Sequence, residues 1–244
     1  MKAWTLGLAI VAMGMAGVAT AKPRRPQLRF ASPAKAIAAE IAFARLAQSK
    51  GQWTAFRQTA ADDAVMFVPQ AVNARDWLKR QKNPPASVAW QPHQTWLSCD
   101  GTLAVNMGPW QRADGSQGYF TTVWQRQENG EYKWVMDQGD TLETPLVAPE
   151  MIASSVAGCD RRQARPPAPA ASAVPASAVP APAFPAGTRG GWSEDRTLSW
   201  AVTVAADCSR ALTVSLYRGA GKPLEPVLEK RVAAPQPAAV CPPA

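Results

Sequence analysis

Gly118-Tyr-Phe-Thr-Thr-Val-Trp124 and Tyr132-Lys-Trp-Val-Met-Asp137, joined through Asn129-Gly130, decide how this chain is read. Both runs are rich in aromatic and β-branched residues, and Asn-Gly tolerates the positive φ that a tight hairpin turn needs. With Asn129-Gly130 as a two-residue turn, Gln125 faces Trp134, Val123 faces Met136, Thr121 faces Gln138 and Tyr119 faces Asp140. That set lies on one side of the sheet. Trp124, Thr122, Phe120, Val135 and Asp137 lie on the other, and one side must meet helices.

Upstream, Asp100-Gly101 and Asp114-Gly115 mark two further turns. The four runs Val88–Ser98, Thr102–Gln111, Gly118–Gln127 and Glu131–Asp140 then read as an antiparallel meander. Before it, Ser32 suits a helix N-cap and Pro33 the first helical position. Ile37, Ile41, Phe43, Ala44 and Leu46 form an apolar stripe that Gly51 ends. Trp53, Phe56 and Arg57 suit a short second helix. Ala64 to Val68 reads as a buried strand stopped by Pro69, and Asn73 caps another short helix holding Trp77 and Leu78.

The order of these elements resembles the nuclear transport factor 2-like superfamily and, within it, the SnoaL-like group. The resemblance covers about residues 33–143. It rests on Ala38-Ala-Glu-Ile-Ala-Phe-Ala-Arg-Leu-Ala47, Trp53-Thr-Ala-Phe56, Ala61-Asp-Asp-Ala-Val-Met-Phe67 and the two runs quoted first. It implies an α+β cone, with N-terminal helices packed on a curved antiparallel sheet around a pocket. Members include isomerases, dehydratases, hydrolases, ligand binders and scaffolds, so the fold alone assigns no activity. SnoaL-like relatives often carry two histidines on the last strand, at the positions of Met136 and Gln138 here. Their absence lowers the expectation of proton chemistry.

The chain has 244 residues and a net charge of +8. Lys2, the apolar run Trp4–Val18 and the small residues Ala19-Thr20-Ala21 read as a signal peptide cleaved at about Ala21. The expected product is an exported, periplasmic or extracellular bacterial protein. Residues 22–32 form a basic arm, 33–160 the cone and 161–190 a Pro/Ala-rich linker. A small three-stranded antiparallel β appendage follows over 191–232, from runs Arg196–Val204, Arg210–Tyr217 and Val227–Val232, and 233–244 is a proline-rich tail. Between Ala31 and Asp160 there are 11 basic and 13 acidic residues, so the positive charge sits in the flanks. That argues against nucleic acid as a partner and leaves an anionic envelope surface for the basic arm.

Cys99, Cys159, Cys208 and Cys241 allow three disulfide connectivities; Cys99–Cys159 with Cys208–Cys241, one bridge per half, is favoured without being fixed by the spacing. No metal-ligand spacing appears, and no metal or cofactor is expected. Tyr119, Asp137, Asp140 and His93 are the acid/base candidates, each with a structural explanation that weighs more. The ten tryptophans are the positive hint of a ligand. The expected pocket comprises Trp53, Met66, Trp77, Tyr119, Trp134, Met136 and Gln138. The leading expectation is a non-catalytic protein binding a small apolar molecule. The alternatives are a small isomerase, dehydratase or hydrolase acting on an apolar carbonyl compound, and an envelope interaction module dimerising through the sheet.

Overall fold

A computed structural model describes residues 31–160, 184 and 187–241. The signal-peptide reading, most of the basic arm and linker, and the end of the tail fall outside those residues.

Two helices open the chain, α1 (Ala34–Lys50) and α2 (Gln52–Thr59), with only Gly51 between them. Gly51 sits at φ 94° and donates its N–H to the Ala47 carbonyl, which closes α1. The cap of α1 falls one residue later than expected: Pro33 occupies that position, and Ser32 Oγ accepts from the Ala34 N–H at 3.4 Å. β1 (Ala60–Phe67) and β2 (Ala71–Asn73) follow, then α3 (Ala74–Leu78), where the Asn73 side chain accepts from the Asp76 N–H as its position predicts.

The meander is β3 (Ala89–Trp90), β4 (Gln94–Leu97), β5 (Leu103–Gln111), β6 (Gln117–Arg126) and β7 (Tyr132–Thr141). Val88–Ser98 is therefore two strands, interrupted at Gln91-Pro92-His93; Pro92 has no N–H for a ladder. Gly101, Gly115 and Gly130 all adopt positive φ in the predicted turns. A further strand, β8 (Ala153–Val156), pairs parallel with β4. The resulting eight-stranded mixed sheet runs β2-β1-β7-β6-β5-β4-β8, with β3 on β5. Helices packed on this curved sheet make the first part of the molecule α+β.

A β-bulge corrects the expected hairpin register. Tyr119 faces Asp140, Thr121 faces Gln138 and Val123 faces Met136, but Trp134 faces Trp124 and Gln125 faces Lys133. Val135 is the extra residue. It moves Trp134 onto the helix side, while Met136 stays on the opposite side. Trp124 then meets Phe43 of α1, and Trp134 meets Phe56 of α2, both at 5.8 Å between ring centroids.

Residues 188–232 form a separate antiparallel sheet, β9 (Thr188–Trp192), β10 (Leu198–Val204), β11 (Arg210–Tyr217) and β12 (Leu224–Val232), ordered β12-β11-β10-β9. Four strands replace the expected three, because β9 lies at the boundary assigned to the linker. Gly190 and Gly191 make β9 a weak strand by propensity, yet they are required: a Cβ on Gly191 would stand 2.6 Å from the Trp200 indole nitrogen. One apolar cluster runs through both sheets. The disulfides are Cys99–Cys159 and Cys208–Cys241.

The second sheet is held by two loops of nearly the same sequence, Ser98-Cys-Asp-Gly-Thr-Leu103 and Ser193-Glu-Asp-Arg-Thr-Leu198. In each, the aspartate Oδ1 accepts from the serine and threonine hydroxyls, at 2.6 and 2.8 Å around Asp100 and 2.7 and 2.8 Å around Asp195. Across the pair, Asp100 N–H donates to Asp195 Oδ2 (2.7 Å) and Asp195 N–H to Asp100 Oδ2 (2.9 Å). Cys99 N–H donates to Thr197 Oγ1 (2.9 Å) and Glu194 N–H to Thr102 Oγ1 (3.0 Å). The clasp is reciprocal, and it satisfies turn amides that packing would otherwise strand.

Candidate functional site

The bulge decides which side chains line the space under the helices. A cleft of about 320 Å³ opens there, between α1, α2, β1, β3 and the β5–β7 strands. Its apolar wall is made by Phe43, Trp53, Phe56, Met66, Trp90 and Phe120. Rings meet edge to face throughout: Phe43 stands 4.8 Å from Trp90 and 4.7 Å from Phe56, and Trp53 lies 5.3 Å from Phe56. Such packing fixes the shape of the wall. At the mouth, the Arg112 guanidinium lies 4.5 Å over the Trp110 ring.

Asp137 on β7 brings a carboxyl group to this wall. Its Oδ2 accepts from the Thr122 hydroxyl at 2.7 Å. Protein encloses it on most sides, and it keeps some surface on the cleft. That desolvation, aided by the negative charge of Glu40, pushes its pKa up to about 7, against the Thr122 hydrogen bond and Arg210.

Glu40 was not expected. It sits on α1 with no exposed surface, on the stripe Ala36, Glu40, Phe43 and Ala47. Of the predicted stripe, Phe43 is core, whereas Ile37, Ile41, Ala44 and Leu46 are only half-buried flanks. Trp90 Nε1 donates to Glu40 Oε1 (2.8 Å), while Trp124 Nε1 (2.7 Å) and Asn106 Nδ2 (3.2 Å) donate to Oε2. Asn106 is itself oriented by the Thr95 hydroxyl at 2.8 Å. Burial raises the Glu40 pKa to about 7, and the three N–H donors oppose that rise. Glu40 does not line the cleft; it ties the helix to the strands behind Trp90.

The structure brings only part of the expected site together. Trp53 and Met66 line the cleft. Trp77 supports it from behind, 5.4 Å from Trp53. Trp134 is on the helix side but wholly buried, with its Nε1 bonded to Thr59 Oγ1. Met136 and Tyr119 belong to the opposite face. Gln138 borders the cleft, yet its carboxamide oxygen accepts from Arg210 of the second sheet. Asp140 stands at the rim, its Oδ1 taking the Thr141 N–H at 2.8 Å. His93 is remote from the cleft, in a surface groove with Ile41 and Arg45, and burial lowers its pKa. Among the described residues no cluster of His, Cys, Asp and Glu suits a metal ion.

No protein-family model matches the chain, and no curated protein matches it. Among solved structures, a candidate ketosteroid isomerase from Parabacteroides distasonis is similar at 15% identity, with a TM-score of 0.36. That match covers 42% of this chain and 85% of that one. A candidate aromatic ring hydroxylase from Novosphingobium aromaticivorans is similar at 17% identity, with a TM-score of 0.33, covering 48% of this chain and 92% of that one. The chemistry of the site is therefore read from its own side chains.

Proposed function

We propose that the cleft binds a small, mainly apolar organic molecule, with one polar atom of the ligand meeting Asp137. The observation that carries this reading is a single carboxyl group set into an aromatic wall. The volume, about 320 Å³, lies at the lower end of ordinary ligand pockets. An aromatic or alicyclic compound of one or two rings suits it, and a carbonyl or hydroxyl on that compound gives Asp137 its partner. The two disulfides support residence in an oxidising compartment.

Native mass spectrometry of the full chain, recovered from an exporting host, tests the reading. The expected result is a small co-purifying molecule that Val88→Trp, which fills the cleft, removes without lowering the melting temperature. Bare wild-type protein that also fails to quench or enhance its tryptophan fluorescence with small aromatic ketones would overturn it.

A second reading, acid–base catalysis on a carbonyl compound, has one observation in its favour. A carboxyl titrating near pH 7 can exchange protons at neutral pH. The described lining holds neither tyrosine nor histidine, so Asp137 would act with little help. Under this reading Asp137→Asn keeps binding and abolishes turnover, and the wild-type rate climbs through about pH 7 as the base ionises. A homodimer through the sheet would have to use an edge or the outer face of the second sheet. The chain's own C-terminal sheet lies on the side away from the helices.

A further inference from the structure

The two sheets enclose a second cleft, on the side of the first sheet away from α1 and α2. Its volume is about 540 Å³, larger than that of the helix-side cleft. It lies where β1, β7 and β9 all depart from regular strand geometry. β1 pairs with β7 at Ala60–Trp134 and next at Val65–Met136, so Ala61 to Ala64 stand against Val135 alone, and Asp63 is left exposed at the cleft rim. The bulge on β7 turns Val135 into the floor, beside Val65 and Leu103. Opposite them, Gly190 and Gly191 of β9 let Trp200 of β10 and the Phe184 ring lie against bare backbone. Bulges and strand glycines occur where a sheet re-aims side chains or lets a ring or ligand approach the backbone closely. The clasp fixes the width: Leu103 ends one of its loops and Trp192 precedes the other, so the reciprocal bonds between Asp100 and Asp195 set the walls apart.

The lining is of two kinds. Trp192 makes an aromatic wall, with Phe184 stacked on it at 5.8 Å and 20° between the ring planes, and Trp200 closes the back. Polar side chains reach the same space from separate strands: Asp63 of β1, Gln125 of β6 and Arg189 of β9. All are exposed, and among the described residues no hydrogen bond or ion pair engages any of these side chains. Together they offer a carboxylate that accepts, a guanidinium that donates and a carboxamide that does both. The charges of Asp63 and Arg189 cancel. Balanced charge disfavours an ionic ligand, and the polar rim disfavours a wholly apolar one. Flat rings beside planar hydrogen-bonding groups match a molecule with C–H faces and hydroxyl edges.

We infer that this cleft binds a neutral sugar ring of an oligosaccharide, its C–H face against the Trp192 wall and its hydroxyls on Asp63, Gln125 and Arg189. Asp63 accepts from neighbouring hydroxyls, Arg189 donates to hydroxyl or ring oxygens, and Gln125 does both. The first sheet separates this site from the cleft that holds Asp137, so each binds its ligand independently.

Isothermal titration of the full chain with maltotriose, cellotriose and N,N′-diacetylchitobiose tests the inference. Saturable binding of at least one of them is expected, with saturation-transfer NMR from indole protons to the sugar ring. Asp63→Ala, at an exposed position, should weaken the affinity by about tenfold or more and leave the melting temperature unchanged. Trp192→Ala should abolish saturable binding. Val88→Trp, which fills the helix-side cleft, should leave the sugar affinity as it is. The inference is overturned if none of the sugars binds saturably, if Val88→Trp removes the binding, or if Asp63→Ala and Gln125→Ala both bind as wild type does.

Discussion

The two faces of β7 follow opposite electrostatic rules. On the helix side the polar groups are acids, Glu40 and Asp137, each with hydrogen-bond donors turned toward it. On the other side they are donors, Tyr119, Thr121 and Gln138, next to Arg210 and Lys230. The cleft under α1 and α2 has an aromatic wall with Asp137 set into it. The second sheet covers Tyr119, Thr121 and Gln138, and the free volume on that side lies farther along the strands, against Leu103, Gln125 and Trp200. A polar, buried strand face is therefore not by itself a sign of a binding site; it needs free volume beside it.

Breaking the acid side should cost most. Glu40→Leu keeps the bulk and strands the N–H groups of Trp90, Trp124 and Asn106. At roughly 1–3 kcal/mol per buried unsatisfied donor, the loss over three donors is about 3–9 kcal/mol. For a chain of this size the melting temperature should fall by about 10 °C or more. Glu40→Gln, which retains one accepting oxygen, should lose about half as much. A fall of less than 3 °C in Glu40→Leu, by thermal circular dichroism, would show that these three contacts carry little of the helix–sheet packing.

The same side should make stability fall as pH rises. Glu40 titrates at 4.5 when unfolded and at about 7 when folded, so between those values the folded state binds more protons. The stabilisation is complete below pH 4.5, declines as pH passes through about 7, and then levels off. A shift of that size corresponds to about 3 kcal/mol. Asp137, raised to about 7 in the same direction but open to the cleft, adds less. Urea denaturation at pH 5 and pH 8 measures the slope, and Asp137→Asn should flatten it without removing it. Equal stability at both pH values would mean that the N–H donors hold Glu40 ionised throughout. The donor side, with its cations, adds nothing to this slope.

These contrasts bear on what the sequence could disclose. The hairpin turns and the pairs Tyr119–Asp140, Thr121–Gln138 and Val123–Met136 were legible because they depend on local dipeptides and period-two counting. The pocket was not, for two physical reasons. The bulge at Val135 changes the side on which Trp134 lies, and a bulge without glycine leaves no mark in composition. The pattern also does not say which face the helices cover, so Tyr119 and Met136, expected in the cleft, belong to the other side, while Gln138 borders the cleft but gives its carboxamide oxygen to Arg210. Glu40 gives no sign of its role in the sequence, because a glutamate in a helix reads as solvated. Its spacing with Ala36, Phe43 and Ala47 was the available signal, together with tryptophans able to donate N–H bonds. The Ser-x-Asp-x-Thr-Leu repeat was visible in the residues, but its meaning required the two loops to be seen in contact.

That repeat offers the gentlest way to disturb the comparison, because it holds the donor-side sheet without touching either polar cluster. Thr102 Oγ1 donates to Asp100 and accepts from Glu194 N–H; Thr197 Oγ1 donates to Asp195 and accepts from Cys99 N–H. Thr102→Val and Thr197→Val therefore remove equivalent bonds from opposite sides of the clasp. Each should cost about 1–2 kcal/mol, the ordinary range for a hydrogen bond whose partner is left partly buried. Serine at either position should restore most of the loss. Each variant loosens the contact that the other depends on, so the double variant should lose less than the sum. Urea unfolding of the four proteins measures this. Strict additivity, or a cost confined to one threonine, would mean that the loops are held by the neighbouring apolar cluster, with the reciprocal bonds following from the docking.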